Sequence, residues 1–175
     1  DPSPAALFLG EDIPELTTKR EKRKLFGDMG IDVLIEFPLN FTTAATEPEE
    51  FVEKILAEQM KTAYIAAGED LSFGKKGRGD AALLRRMAGK FGYRTEIIEK
   101  VCLEGVEISS SYVREVIKIG DMEKAERLIG EAYSVCGVVA HGKKLGRRLG
   151  MPTVNLLPEK EKLLPPYGVY FSEVS

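Results

Sequence analysis

Hydrophobic and polar positions follow two periods along this chain. Short runs rich in β-branched residues at 32–37, 62–67 and 94–99 have the length and composition of strands. The segments between them carry apolar residues every three or four positions, as amphipathic helices do. Thr18 and Glu21 stand at capping-box spacing before a helix over 22–29, and Gly30 supplies its stop. Thr46 and Glu49 repeat the spacing, with Pro48 in the first turn and Phe51, Val52, Ile55, Leu56 and Met60 on one apolar face. A third helix is predicted over 80–91, ended by Gly92. Strands alternating with such helices predict an α/β architecture, a parallel sheet with helices on both faces.

Beyond 99, a segment around 103–108 turns at Gly105, and two helices follow over 110–119 and 121–129, separated by Gly120. From Tyr133 the pattern changes. Residues 133–141 and the glycine-rich, proline-punctuated stretch after them read as strands and loops of an all-β unit, and 167–174 reads as a strand. A domain boundary falls near Glu131, which separates an α/β domain over 1–131 from the start of an all-β unit over 132–175. So few strands leave a barrel open with unpaired edges, and the sequence is therefore expected to be truncated.

Composition narrows the picture. The 175 residues suffice for one sizeable core or two small ones. Hydrophobic residues at 43% and charged residues at 30% are those of an ordinary globular protein. A net charge of -3 and a pI near 5.4 argue against nucleic-acid and membrane partners, which usually need a basic face. Cys102 and Cys136 stand apart, and the single histidine, His141, completes no zinc set and is read as structural. The sequence has no apolar stretch near the ~20 residues of a membrane span and no signal region, so a cytoplasmic location is expected.

Three segments carry candidate chemistry. The first, at 68–74, follows a predicted parallel strand, where open α/β sheets bind ligands. Its glycines Gly68 and Gly74 allow close backbone approach, and Asp70 is suited either to Mg²⁺ or nucleotide binding or to a plain solvated turn. In the second, Ser109, Ser110 and Ser111 open a helix with Arg114 one turn inside, which suits a phosphate or a simple serine cap. The third runs from His141 to Asn155. Gly142, Gly146 and Gly150 are interleaved there with Lys143, Lys144, Arg147 and Arg148, a loop able to cover a polyphosphate or a solvated hairpin tip. Thr153 and Asn155 add neutral oxygens suited to a hard cation.

The order of these segments, together with Asp1-Pro-Ser-Pro4, Leu16-Thr-Thr-x-x-Glu-Lys22, Pro48-Glu-Glu-Phe-Val52, Gly120-Asp-x-x-x-Ala125, Gly146-Arg-x-Leu-Gly-x-Pro-Thr-x-Asn155 and Gly168-Val-Tyr170, resembles the bacterial riboflavin kinase/FMN adenylyltransferases, or bifunctional FAD synthetases. The likeness covers essentially the whole chain. It implies a Rossmann-like nucleotidylyltransferase domain over 1–131 and the start of a riboflavin kinase β-barrel over 132–175. The implied chemistry is FAD biosynthesis: riboflavin is phosphorylated to FMN with ATP, and FMN is adenylylated to FAD with release of pyrophosphate. Mg²⁺ is the implied cofactor, the partners are these small molecules, and self-association is left open.

The resemblance also assigns residues. Gly68, Asp70, Phe73 and Gly74 would face the nucleotide site of the adenylyltransferase, and Ser109, Ser110, Ser111 and Arg114 its phosphate. Gly142, Gly146, Arg147, Gly150, Pro152, Thr153 and Asn155 would bind ATP in the kinase, with Thr153 and Asn155 on the metal. The family's G-x-F-D-G-x-H-x-G-H segment is not in this chain, and the kinase general base is expected beyond Ser175, so the chain alone is expected to be inactive or impaired. Ser3 and Leu71 stand where the family usually has histidine and phenylalanine. Two other readings are another nucleotidylyltransferase of the same fold, which would lack the Pro-Thr-x-Asn segment, and a relative that binds nucleotide or flavin without turnover.

Overall fold

The structure is a computed structural model that describes residues 7, 8, 10, 13–142, 150 and 153–174. Its elements run α1 (Lys19–Asp28), α2 (Phe41–Ala44), α3 (Pro48–Glu50, continuing with wider π winding through Phe51–Gln59), β1 (Tyr64–Gly68), a 3₁₀ turn (Lys75–Gly77), α4 (Ala81–Phe91), β2 (Arg94–Ile98), β3 (Cys102–Leu103), β4 (Val106–Glu107), α5 (Ser110–Lys118), α6 (Met122–Ile129), β5 (Gly137–Ala140) and β6 (Asn155–Pro158). The architecture is mixed α/β with a small parallel sheet. The chain packs as two compact units, one built around 36–107 and the other from 13–35 together with 108–175.

In the first unit β1 and β2 pair in parallel, from Tyr64 opposite Arg94 to Gly68 opposite Ile98. The crossover between them is α4, whose start and stop are both written in local chemistry. Asp80 accepts a hydrogen bond from the Leu83 amide at 2.7 Å, and Gly92 closes the helix in the left-handed region at φ 75°. Leu83, Leu84 and Met87 fall on one face and are buried with Val52 of α3 and Tyr93. Ile65 and Ala67 of β1 pack against this core while alternate residues of the strand are exposed, the two-residue period of a half-covered sheet. Burying one leucine such as Leu84 contributes roughly 2 kcal/mol, so this cluster outweighs any local propensity.

The second unit contains α1 and the helical pair α5 and α6. Val113, Val116, Ile117, Ala125 and Leu128 are buried there with Leu163. Gly120, at φ 82°, turns the chain between the two helices, and Asp121 caps the second by accepting from the Lys124 amide. β5 and β6 pair antiparallel, Gly137 opposite Pro158 through Ala140 opposite Asn155.

Three expectations are corrected. Residues 32–37 form no strand, and Val33, Ile35 and Phe37 are exposed. A strand exists only through a ladder partner, and among the described residues none pairs with this run. Residues 167–174 likewise pair with nothing described, and Tyr167, Val169, Phe171 and Val174 stand in solvent. The Thr46–Glu49 capping box is absent as well: Pro48 takes the first helical position, so the cap falls on Glu47, whose side chain makes no capping bond. The Thr46 carbonyl accepts from the Lys75 amide instead, at 2.7 Å.

Candidate functional site

The loop 68–79 leaves the carboxyl end of β1 and is held by its own backbone. The Leu71 amide bonds to the Gly68 carbonyl, and Phe73 and Gly79 exchange two backbone hydrogen bonds of 3.0 and 2.8 Å. A methyl group at Gly79 would lie 2.7 Å from the Phe73 ring, and one at Gly74 would lie 2.8 Å from the Cα of Pro48. Gly74 also sits at φ 69°, where only glycine is unstrained. These contacts seat the loop on the first turn of α3 and turn the Phe73 ring onto Phe51, with centroids 5.7 Å apart. Asp70, by contrast, is exposed, and its carboxylate lies 3.5 Å from the Lys100 ammonium. Lys100 also bonds Glu107 at 2.5 Å, a pairing that raises its pKa.

A cationic edge follows the same loop. Glu47 pairs with Lys75 at 2.8 Å and with Arg78. The Lys75 hydrogen bond, helped by the Arg78 charge, holds the Glu47 carboxyl below its ordinary value despite some desolvation.

In the second unit, Ser109 caps α5 by accepting from the Tyr112 amide at 3.2 Å. Its hydroxyl is therefore committed to the helix, while Ser110 and Ser111 are exposed at the first turn. Arg114 is half-buried, and its Nε donates to the Pro14 carbonyl at 3.0 Å. That bond leaves the terminal guanidinium nitrogens out of it, and these are the donors that grip an anion in a fork.

The same unit brings Gly142 against Asn155. A methyl group at Gly142 would collide with the Asn155 amide nitrogen, so the missing side chain makes the space that amide occupies. Asn155 opens β6 opposite Ala140, and Thr153 lies two residues before it, exposed. Thr153 and Asn155 put two neutral oxygens on one short segment, a donor type that suits a hard cation. Among the described residues no cluster of three or more His, Cys, Asp or Glu side chains could hold a metal by itself. Gly150 lies at φ 74°, whereas Gly146, Arg147 and Pro152, with Lys143, Lys144 and Arg148, lie outside the described residues.

What sequence reading missed is an ion pair beside Arg114. Lys162 and Glu21 meet at 2.8 Å with side chains 1% and 7% exposed. Nothing local marks Lys162, since its partners are distant in sequence, although Glu21 was visible as a capping residue.

Residues 1–112 match the FAD synthetase family, and residues 129–175 match the riboflavin kinase family. The bifunctional riboflavin kinase/FMN adenylyltransferase of Escherichia coli K12 is 32% identical over 99% of this chain and 56% of its own length. The enzymes of that name from Haemophilus influenzae and Listeria monocytogenes are each 33% identical, over 98% and 97% of this chain and 56% and 54% of their own lengths. This chain thus spans about half the length of the curated relatives it matches. A solved structure, described as a macrolide-efflux protein from Streptococcus pneumoniae, superposes with a TM-score of 0.75 at 26% identity, over 94% of this chain and 51% of that one. Through the match over its first 112 residues, this chain belongs to the FAD synthetase family.

Proposed function

We propose that this protein makes FAD from riboflavin in two steps, with the adenylyltransferase in residues 1–131 and the kinase beginning at 132. The observation that carries this reading is the order of two phosphate-suited arrangements along one chain. The serine-led α5 with Arg114 comes first, and the Gly142–Asn155 contact follows inside the riboflavin kinase match. The first domain is Rossmann-like and the second a small β-barrel.

In the kinase step the riboflavin 5′-hydroxyl attacks the γ-phosphorus of ATP. In the second step the FMN phosphate attacks the α-phosphorus of ATP and pyrophosphate leaves. Thr153 and Asn155 would help hold Mg²⁺, which would supply charge neutralisation on the phosphates. Asn155 and Thr153 orient ATP in the kinase, and Gly142, Gly146, Arg147, Gly150 and Pro152 form the loop over it. In the adenylyltransferase, Ser110, Ser111 and the α5 N-terminus present hydroxyl and N–H donors to phosphate while Ser109 holds the helix start, and Arg114 adds a fixed positive charge. Gly68, Asp70, Phe73 and Gly74 shape the nucleotide side of that site. The protein works in the cytoplasm on small molecules and needs no nucleic acid or membrane.

The test is a product assay on the complete natural polypeptide, with Mg·ATP and either riboflavin or FMN. Wild type should give FMN from riboflavin and FAD from FMN. Arg114→Ala should lower FAD formation by about 100-fold and leave riboflavin phosphorylation near wild type. Asn155→Ala should do the reverse. Failure of wild type to form either product while it still binds ATP would replace this reading with that of a nucleotide-binding relative, and equal loss of both activities in either variant would end the two-site assignment.

A further inference from the structure

Arg114 does not hold itself in place. Its Nε is anchored on the carbonyl of Pro14, and the backbone from Pro14 to Leu16 has little regular structure of its own. That backbone is fixed from the far end of the chain. The Glu15 amide donates to the Glu161 carbonyl at 2.7 Å, and the Leu163 amide donates to the Glu15 carbonyl at 2.8 Å. Between these bonds the Lys162 ammonium donates to the Leu16 carbonyl at 2.7 Å and to Glu21 at 2.8 Å. It also lies over the Tyr133 ring, 4.3 Å from the centroid. Glu21 is pinned in turn by the Thr18 and Cys136 amides, at 2.9 and 3.1 Å. A buried ammonium with this many fixed partners gives up its solvation only in one arrangement, so it defines the backbone it holds.

From this chain of contacts we infer that Lys162 is a positioning residue for adenylyl transfer: buried on Glu21, it fixes the Pro14–Leu16 backbone, whose Pro14 carbonyl orients the Arg114 guanidinium. The inference rests on the phosphate role proposed above for Arg114. It places a residue of the riboflavin kinase match in service of the other reaction, because Lys162 lies within 129–175 and Pro14 within 1–112. Loss of Lys162 frees the Pro14 carbonyl to move and lets Arg114 sample orientations that do not face phosphate.

The experiment is a double-mutant cycle in the complete natural polypeptide, reading FAD formation from FMN. Lys162→Met keeps the length of the side chain and removes its charge. Because that change strands the Glu21 carboxylate, Glu21→Gln/Lys162→Met is made beside it, which keeps the cap on α1 and buries no charge. Either variant should lower kcat/KM for FAD formation by about tenfold in the wild-type background and change nothing further in Arg114→Ala, since residues acting through one another are not additive. A merely structural role would lower activity by the same factor in both backgrounds, and that result would overturn the proposal. The second readout is the Arg114 Nε–H resonance of ¹⁵N-labelled protein. It should shift in Lys162→Met and in the double variant, and an unmoved resonance would overturn the proposal regardless of activity. Should Arg114→Ala leave FAD formation intact, the phosphate role of Arg114 fails, while the Nε–H resonance still decides whether Lys162 sets its position.

Discussion

Glu21 is where opposing electrostatic effects can be weighed. Burial pushes its carboxyl up, but the Lys162 hydrogen bond, the Thr18 and Cys136 amides and the Lys162 charge together hold it below its ordinary 4.5. A carboxyl with a depressed folded pKa stabilises the fold above its unfolded pKa, and that stability is lost as pH falls through the folded value. The difference in urea midpoint between wild type and Glu21→Gln should therefore hold at neutral pH and shrink as pH drops below 4.5. Lys162→Ala is harsher, because it leaves a carboxylate buried without its cation. It should cost about 3 to 5 kcal/mol in denaturant unfolding. Gly142 offers the opposite kind of residue-scale change. The nearest atoms an alanine there would meet belong to the far end of the Asn155 side chain, which can swing aside at little cost to stability. Gly142→Ala should keep the melting temperature within a degree or two while riboflavin phosphorylation falls about tenfold or more, since the displaced amide is a proposed ATP ligand.

Two glycines of the first unit differ in what a side chain would cost at the scale of elements. Gly92 ends α4 at φ 75° with open space where a methyl would go, so Gly92→Ala should cost only the left-handed penalty of about 1 kcal/mol. Gly74, at φ 69° and ψ -171°, lies in a region essentially reserved for glycine, and its methyl would also overlap the Pro48 backbone, so Gly74→Ala should cost about 2 kcal/mol or more and loosen the loop that carries Asp70. Thermal melts of the two variants check the ordering, and equal losses would refute it. Helix signals of this local kind were legible in sequence. The Thr18–Glu21 box, Gly92 and the serine opening at Ser109 all act within a turn of where they stand, while Asp80 and Asp121, read as first helical residues, are the caps. Thr46 misled because Pro48 moved the helix start by one residue, which released its carbonyl to hold the loop at Lys75.

At the scale of the whole molecule, the sequence conveyed what depends on neighbours along the chain and withheld what depends on distant partners. The parallel pairing of β1 and β2 was implied by the strand–helix–strand rhythm around α4. The runs 32–37 and 167–174 have strand composition, yet composition does not supply the ladder that makes a strand. For the candidate sites, the serine cluster with Arg114 and the Thr153–Asn155 pair were visible as motifs. The Pro14 carbonyl under Arg114 was not, and neither was Lys162, because a lysine at 162 between Glu161 and Leu163 looks like any solvated charge.

The buried pair also sets a clock on how the protein is made. Glu21 and Lys162 are separated by 141 positions, and the unit they belong to joins 13–35 to 108–175, with 36–107 of the other unit intervening in sequence. At a synthesis rate of ~5 to 20 residues per second, α1 waits roughly 7 to 30 seconds on the ribosome before its ionic partner exists. During that interval Glu21 has no cation to pair with and the Leu16 carbonyl lacks its ammonium donor, while the unit built around 36–107 already has its full complement of residues. Along this chain assembly is thus vectorial, with the unit around 36–107 ready before segment 13–35 gains its last partner.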